Sequence, residues 1–421
     1  MRHLLVLVLL LIAPPAAAHV GAGAGETDIL LRDGSDDVWV KAPWGYVSRV
    51  ADDDWRWVCH EVFSGGSETL LPDLVLGPDG TLLGVLGVLD GVVDEGISLY
   101  RSTDGGCSWQ PTTGLEDRVV VGAAFDPADP LVALAITADL DTGDGVPANG
   151  IHRSVDGGAT WALVQEWDAR LMRSVRFGPA GRAYAIAAQV DPAAAWLLRS
   201  DDAGQTWQEL PVPTDGVEVV TIGSVSATHP ADPDVVWLNF DGSTKDAVFA
   251  SEDGGQSFSA VSGIPDAFLD VTLRDPGGWL VGGARALHRS DDGVTWSPVA
   301  GAPQGWGGNE DDRGFWLAVN TLADDRAVVR IESDGSVTDV LPTLDLAGPL
   351  QCPADSDVAV VCEPLWDELY EVLERMRPRP SGGDDDDSAA PPDPGCADCG
   401  GGGTALLPLV LLPLWRRRQS R

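Results

Sequence analysis

Basic residues are scarce in this chain of 421 residues. It has 27 lysines and arginines against 65 aspartates and glutamates, which gives a formal net charge of −38 at pH 7. Binding to a nucleic acid needs clustered positive charge, and so does binding to an anionic membrane surface. The composition therefore excludes nucleic acid as a partner and predicts a soluble, strongly acidic protein.

Signatures of common catalytic and metal sites are also missing. The chain has six histidines and no Gly-x-Ser-x-Gly motif, so a Ser-His-Asp hydrolase is not indicated. The acidic run Asp52–Asp54 has no second ligand cluster at a fixed spacing, which favours a solvated turn. The loop Asp139–Asp144 has alternating carboxylates but lacks the glutamate of a calcium loop, and we leave its metal binding open. We expect no catalytic residue, no metal and no cofactor.

A short segment that recurs five times organises the chain. Ile151–Trp161 reads IHRSVDGGATW, and its core is Ser-x-Asp-x-Gly-x-Ser/Thr-aromatic. Aspartate can accept backbone hydrogen bonds that close a turn, glycine allows positive φ, and the aromatic residue starts the next strand. We therefore assign the repeated residues a structural role. They are Ser102, Asp104, Gly106, Trp109, Ser154, Asp156, Gly158, Trp161, Ser200, Asp202, Gly204, Trp207, Ser251, Asp253, Gly255, Phe258, Ser290, Asp292 and Trp296.

The spacing of these segments predicts the fold. Their first serines lie 39 to 52 residues apart. Roughly 40–50 residues is the length of one four-stranded propeller blade. Between the segments the chain is rich in Val, Leu and Trp with Gly and Pro breaks, which is typical of strands. We predict an all-β, seven-bladed propeller of four-stranded antiparallel blades over residues 27–363. The strand that closes the ring is left open between Thr27–Arg32 and Asp357–Val361.

The repeated segment resembles the Asp-box, or BNR, repeat of sialidase-like, sortilin-like and photosystem-assembly-factor-like propellers. In that family the repeat is a turn at the blade periphery that does not bind substrate. Sialidases of the family also use an Arg-Ile/Leu-Pro motif, three arginines, and a tyrosine with a glutamate. This chain has no such motif and only four tyrosines.

The cysteines suggest disulfides in a secreted protein. Residues 1–18 have the pattern of a signal peptide, with Arg2 before an apolar run and small residues at the end. We predict a disulfide between Cys352 and Cys362, which bracket a predicted strand. Cys59 and Cys107 are predicted in neighbouring blades, and we leave open whether they pair with each other or Cys107 is free.

The end of the chain has three parts. Residues 364–377 predict a short helix with apolar residues on one face, and residues 378–395 are an acidic linker that cannot bury a core. Residues 396–421 contain Cys396 and Cys399, an apolar stretch and terminal arginines. This order resembles the MYXO-CTERM sorting tail, which implies processing by a sorting protease and display on a bacterial cell surface. The tail is the only expected contact with the membrane.

These features give an expected function. We predict a monomeric, secreted, surface-anchored propeller that recognises a glycan, a peptide or a surface protein and is not an enzyme. An acidic, Trp-containing loop at Trp306–Arg313 is a candidate for stacking on sugars. The alternative is a glycoside hydrolase of the sialidase-like propeller type, and an assembly role is a third hypothesis. The sequence specifies neither the ligand nor which face of the ring binds it.

Overall fold

The structure is a computed structural model, and it covers most of the chain between residues 29 and 376. Within that range it leaves out residues 33–34, 43, 52–53, 65–71, 87–98, 117, 140–148, 169, 190–193, 214–222, 241–245, 262–263, 265–267, 275–276, 283–285, 320–325 and 343–344. The chain divides into two units, Met1–Pro378 and Arg379–Arg421, and all described residues belong to the first. The predicted signal peptide, linker and sorting tail lie outside the described residues, and so does most of the Asp139–Asp144 loop.

Seven four-stranded sheets are formed, each from four strands that follow one another in the sequence. Blades one to three contain β1 (Ile29–Leu31), β2 (Val38–Ala42), β3 (Gly45–Ala51), β4 (Asp54–Val58), β5 (Asp73–Leu76), β6 (Leu82–Val85), β7 (Leu99–Ser102), β8 (Gln110–Pro111), β9 (Arg118–Asp126), β10 (Asp129–Asp139), β11 (Asn149–Ser154) and β12 (Ala162–Trp167). Blades four and five contain β13 (Leu171–Phe177), β14 (Ala183–Gln189), β15 (Ala194–Ser200), β16 (Gln208–Val212), β17 (Ser224–Thr228), β18 (Val236–Phe240), β19 (Ala247–Ser251) and β20 (Ser259–Ala260). Blades six and seven contain β21 (Phe268–Leu273), β22 (Gly278–Gly282), β23 (Leu287–Ser290), β24 (Ser297–Pro298), β25 (Gly305–Asp311), β26 (Gly314–Val319), β27 (Arg326–Ile331) and β28 (Val337–Pro342). The predicted seven-bladed propeller is confirmed.

The first strand of each blade lines the ring axis. Each of these seven strands contacts the first strand of the next blade, and β25 of blade seven contacts β1 of blade one. Because all blades have the same strand order, the seven first strands run in the same direction along the axis. We call the face on which they begin the upper face. The turns between third and fourth strands, which contain the repeated segment, therefore lie on the opposite, lower face.

Each repeated turn is closed by side-chain hydrogen bonds. In blade four, Ser200 Oγ donates to Asp202 Oδ1 at 2.8 Å and accepts from Gly204 N–H at 2.8 Å. Asp202 Oδ1 also accepts from Thr206 N–H at 2.8 Å, and Trp207 Nε1 donates back to the Gly204 carbonyl at 3.2 Å. These bonds hold the turn in a fixed shape without any partner outside it. The same serine-to-aspartate bond is present in blades two, three, five and six.

Two further contacts join most of the turns to neighbouring blades. The turn glycine packs on the preceding blade, since a Cβ at Gly204 would lie 2.4 Å from Leu134. The arginine before the repeat serine bonds to the turn of the next blade, and this bond was not foreseen from the sequence. Its instances are Arg101 Nε to Gly157 O at 2.6 Å, Arg153 Nε to Ala203 O at 2.7 Å, Arg199 Nη1 to Gly254 O at 3.0 Å and Arg289 Nη1 to Ser333 O at 3.0 Å.

Blade one packs directly on blade seven, and the segment that follows blade seven adds backbone hydrogen bonds to the outermost strand of blade one. Residues 347–350 run parallel to β4, where Trp57 N–H donates to Gly348 O at 2.9 Å and Leu350 N–H donates to Trp57 O at 2.8 Å. Of the two predicted closing segments, Thr27–Arg32 supplies β1, which contacts β25 of blade seven, whereas the other is not a strand. Ile29–Leu31 is the axis strand of blade one, and Asp357–Val361 is the helix α2. The predicted terminal helix is present as α3 (Trp366–Met376), and a single turn, α1 (Glu61–Ser64), precedes blade two.

The predicted disulfide between Cys352 and Cys362 is wrong. Cys362 is bonded to Cys59 and Cys352 to Cys107, so both bonds connect the C-terminal segment to blades one and two. The physical reason is that α2 lies between Cys352 and Cys362 and presents them to different blades. Disulfides fit an oxidising compartment, in agreement with the extracellular location that we predicted. Among the described residues, none of the helices has the length and apolar character needed to cross a bilayer.

Candidate functional site

Asp270 is the most unusual carboxyl group on the axis strands. It is the third residue of β21 and is half-buried. Its Oδ2 accepts from Gly308 N–H of blade seven at 3.0 Å, and its Oδ1 accepts from Val271 N–H at 2.9 Å. Burial raises the pKa of Asp270, although Gly308 N–H, the charge of Arg176 and Val271 N–H all favour the ionised form. Asp270 is therefore a group that can hold a proton above the usual range of aspartate.

Arg176 brings a positive charge to the same region from blade four. It lies near the end of β13, is exposed, and its Nε donates to the Val225 carbonyl of β17 at 2.9 Å. Ser174 Oγ accepts from Val225 N–H at 2.7 Å, so the axis strands of blades four and five are joined at this residue. The guanidinium is thereby held by the backbone of blade five. A positive group fixed in this way can bind a hydroxyl or carboxylate of a ligand in the axis.

Asp73 is a second carboxylate at the upper face. It is the first residue of β5, is exposed, and forms an ion pair with Lys41 at 2.5 Å. The Lys41 side chain is itself largely buried, at the end of β2. Arg118 begins β9 of the next blade and forms an ion pair with Glu166 at 2.6 Å. Charged side chains thus stand at the upper ends of the axis strands of blades two and three as well as blade six.

The residues that the repeat singled out do not belong to this site. Ser200, Asp202 and the equivalent residues lie in turns of the lower face, and their hydrogen bonds are satisfied within the turn. The segment Trp306–Arg313, predicted as a loop, is mostly the axis strand β25. Asp73, Arg176 and Asp270 were missed, because the sequence around them has no local motif. Within the described ranges, no group of three or more His, Cys, Asp or Glu residues is placed to hold a metal ion.

Comparison with known proteins identifies relatives of the fold only. No protein-family model and no curated protein sequence matches the chain. An ancestral GH74 enzyme is similar with a TM-score of 0.54 and 15% identity, over 76% of this chain and 46% of that one. The GH74 xyloglucanase of Xanthomonas campestris gives a TM-score of 0.50 and 16% identity, over 76% and 54%. A Hadza microbial sialidase gives 17% identity over 72% and 73%, but its TM-score of 0.42 is too low to support an argument.

The expectation that the chain is not an enzyme is contradicted by these comparisons. Two of the solved structures that are similar to this chain, with TM-scores of 0.54 and 0.50, are GH74 enzymes, so the propeller fold does not by itself indicate a binding protein without enzymatic activity. At 15 and 16% identity the likeness shows the shared fold. The chain spans about half the length of these two enzymes. Whether this chain acts on the same substrate therefore has to be tested on the chain itself.

Proposed function

We propose that the chain is a glycoside hydrolase whose active site lies at the upper face of the ring axis. The observation that supports this most is Asp270, a carboxyl group on an axis strand whose pKa is raised by burial. Glycoside hydrolysis needs an acid that protonates the leaving oxygen and a second carboxylate that stays ionised. Two carboxylates in different environments can divide these roles between them.

In this proposal Asp270 is the general acid and Asp73 the ionised partner. Burial raises the pKa of Asp270 and so favours a proton that can be given to a glycosidic oxygen, while the bond from Gly308 N–H fixes the position of the carboxyl group. Asp73 is exposed and forms an ion pair with the ammonium group of Lys41. Asp73 either attacks the anomeric carbon or activates water. Arg176 binds a sugar hydroxyl next to Asp270.

The substrate that we propose is a neutral polysaccharide such as a β-linked glucan. The net charge of −38 disfavours sialosides and other anionic glycans through long-range repulsion. The missing Arg-Ile/Leu-Pro motif points in the same direction, because the sialidase carboxylate clamp depends on it. The xyloglucanase activity of the fold relative from Xanthomonas campestris makes xyloglucan the first substrate to test.

The setting of the enzyme is part of the proposal. We assign the five repeated turns to the Asp-box family, in which they are structural, because their side chains bond within each turn. The tail with Cys396 and Cys399 would attach the secreted propeller to the cell surface after processing by a sorting protease. The ring would then degrade or trim glycans outside the cell.

The test is hydrolysis by the purified full chain. We expect release of reducing ends from xyloglucan or a related β-glucan and none from sialyllactose. Replacing either carboxylate, Asp270→Asn or Asp73→Asn, should lower kcat by about 10²–10⁴-fold. Asp339→Asn is the matched control, because Asp339 is an exposed carboxylate on the outermost strand of blade seven.

The pH profile provides a second criterion. Because Asp270 acts in its protonated form, kcat should fall as the pH rises through its elevated pKa. The proposal fails if no neutral polysaccharide is hydrolysed. It also fails if Asp270→Asn keeps the activity of Asp339→Asn.

A further inference from the structure

The axis strands of blades three to seven share an irregularity in their pairing. Each has one residue more than its partner strand at one point of the ladder, which is a β-bulge. The register shifts leave as extra residues Val121 in β9, one of the pair Arg173–Ser174 in β13, Ser226 in β17, Leu269 in β21 and Trp306 in β25. The axis strands of blades one and two pair with β2 and β6 without a shift.

These bulges lie at a similar depth around the axis. Each falls within the first four residues of its strand, and therefore toward the upper face. Leu269 directly precedes Asp270, so the proposed general acid follows a bulge. A bulge redirects side chains from the regular alternation of a strand, and bulges are common next to active sites. We call Val121, the pair Arg173–Ser174, Ser226, Leu269 and Trp306 the bulge collar.

Two members of the collar have properties of ligand-binding groups. Ser226 is 7% exposed, and its Oγ has no hydrogen-bond partner. A buried hydroxyl without a partner costs free energy, which a ligand or a water molecule would recover. Trp306 is half-buried in β25, so part of its ring remains accessible. Neither residue belongs to the repeated turns.

The neighbouring backbone holds the collar in place. Val225, next to Ser226, is joined to blade four through Ser174 Oγ at 2.7 Å and Arg176 Nε at 2.9 Å. Gly308, two residues after Trp306, donates to Asp270 at 3.0 Å. Hydrogen bonds therefore join residues next to the collar across the boundary between blades four and five and across that between blades six and seven. Such support fixes the spacing that recognition of a rigid sugar ring requires.

We propose that the bulge collar is the sugar-binding subsite of the enzyme, with a neutral β-linked oligosaccharide as its ligand. Trp306 stacks on a pyranose face, and Ser226 Oγ bonds to a sugar hydroxyl. This proposal rests on the proposed function for the choice of ligand. Binding at the collar does not itself require hydrolysis, which allows the two to be tested separately.

The experiment is calorimetric titration of cellohexaose into the full chain carrying Asp270→Asn, so that the ligand is not consumed. We expect Trp306→Ala in this background to weaken binding by about tenfold or more, the equivalent of one lost anchoring contact. Trp306→Phe should retain most of the affinity because the ring can still stack. Ser226→Ala should weaken binding by a smaller factor. Tyr370→Ala removes an exposed aromatic ring on α3 and is the control, with no change expected.

The outcomes separate the two proposals. If the parent does not bind cellohexaose, or if Trp306→Ala binds as tightly as the parent, the collar is refuted even where the wild type hydrolyses a glucan. If Tyr370→Ala weakens the binding of cellohexaose as much as Trp306→Ala does, the proposal is also refuted, because the binding site is then not on the ring axis. If binding depends on Trp306 and Ser226 but the wild type hydrolyses no polysaccharide, the sugar-binding role of the collar is supported and the proposed hydrolase activity is refuted. Circular dichroism of Trp306→Phe verifies that the ring is folded.

Discussion

The turn between β7 and β8 contains two adjacent glycines whose replacement by alanine should have different costs. Both have left-handed backbone angles, with φ of +71° at Gly105 and +87° at Gly106. A Cβ at Gly105 would meet nothing within 4 Å. A Cβ at Gly106 would lie 2.6 Å from Cη2 of Trp39, which is 4% exposed in blade one. Replacing Gly105 by alanine therefore tests backbone strain alone, whereas replacing Gly106 tests backbone strain together with the contact to the preceding blade.

The expected magnitudes follow from this difference. Left-handed backbone costs an alanine roughly 1–2 kcal/mol, and this applies to both positions. An alanine is tolerated at the first position, since Ala203 occupies it in blade four with φ of 54°. Overpacking a rigid neighbour adds about 1–3 kcal/mol, and this applies to Gly106 alone. We expect Gly106→Ala to lower the free energy of unfolding by about 2–5 kcal/mol and Gly105→Ala by about 1–2 kcal/mol.

Urea denaturation of the full chain, followed by tryptophan fluorescence, measures the difference. Gly293→Ala is a second control, because Gly293 in blade six has φ of +71° and nothing within 4 Å. Gly293→Ala should lower the free energy of unfolding by about the same amount as Gly105→Ala. If Gly106→Ala costs no more than these two variants, the turn does not dock on blade one, and our account of how neighbouring blades are joined is wrong.

Three other predictions concern the same framework. Arg153→Gln removes the bond to the Ala203 carbonyl and should lower the free energy of unfolding by about 1–3 kcal/mol in the same assay; no change would mean that water replaces the bond. The pKa of Asp253 is lowered to about 2, chiefly by the hydroxyl of Ser257 and then by the N–H of Ser257. The contribution of Asp253 to the stability of the fold is therefore complete above about pH 4 and is lost as the pH falls toward 2. An acid titration of Asp253→Asn by circular dichroism should therefore show a weaker loss of stability in that range, and an unchanged profile would contradict the assignment. Non-reducing peptide mapping should recover the peptide of Cys59 linked to that of Cys362, and Cys59→Ser should cost about 2–5 kcal/mol; a Cys352–Cys362 peptide would refute the pairing.

The fold was predictable because its main signal is local. Ser200, Asp202 and Gly204 lie within five residues of one another, and they bond to each other and to Thr206. A pattern of this kind can be detected without knowing the three-dimensional neighbours. The arginine that precedes the repeat serine was present in four of the five copies, and it was overlooked because its partner is in the next blade.

The disulfides were not predictable in the same way. Cys59 and Cys362 are 303 residues apart in the sequence and become neighbours only when the ring closes. Cys352 and Cys362 are close in sequence, which suggested that they pair, but the helix α2 separates them. Pairing in a ring depends on which blade each end of the chain meets, and that information is not local.

The candidate site has the same limitation. Asp270 and Gly308 belong to different blades, and so do Arg176 and Val225. The sequence around each is unremarkable, because burial and not a motif raises the pKa of Asp270. The bulges depend on strand register, which is determined by pairing across the whole blade. Repetition of the turns reveals the scaffold, whereas the site consists of residues that depart from the repeat.

Departures from the repeat also coincide at the junction of blades five and six. Ala250 replaces the arginine in blade five. The turn of blade six is one residue shorter, and a Cβ at Gly293 would meet nothing within 4 Å. Trp296 Nε1 has no hydrogen-bond partner, whereas Trp161 and Trp207 donate to turn carbonyls. Packing of Trp237 against Trp296, with ring centroids 5.6 Å apart, is an apolar contact that these two blades retain. Because apolar packing is not directional, it fixes the relative position of two blades less strictly than the arginine bond and the docked turn do. Blade six, with Asp270, is held to blade seven through Gly308 and to blade five through packing, so the two changes in the repeat loosen the same side of the candidate site.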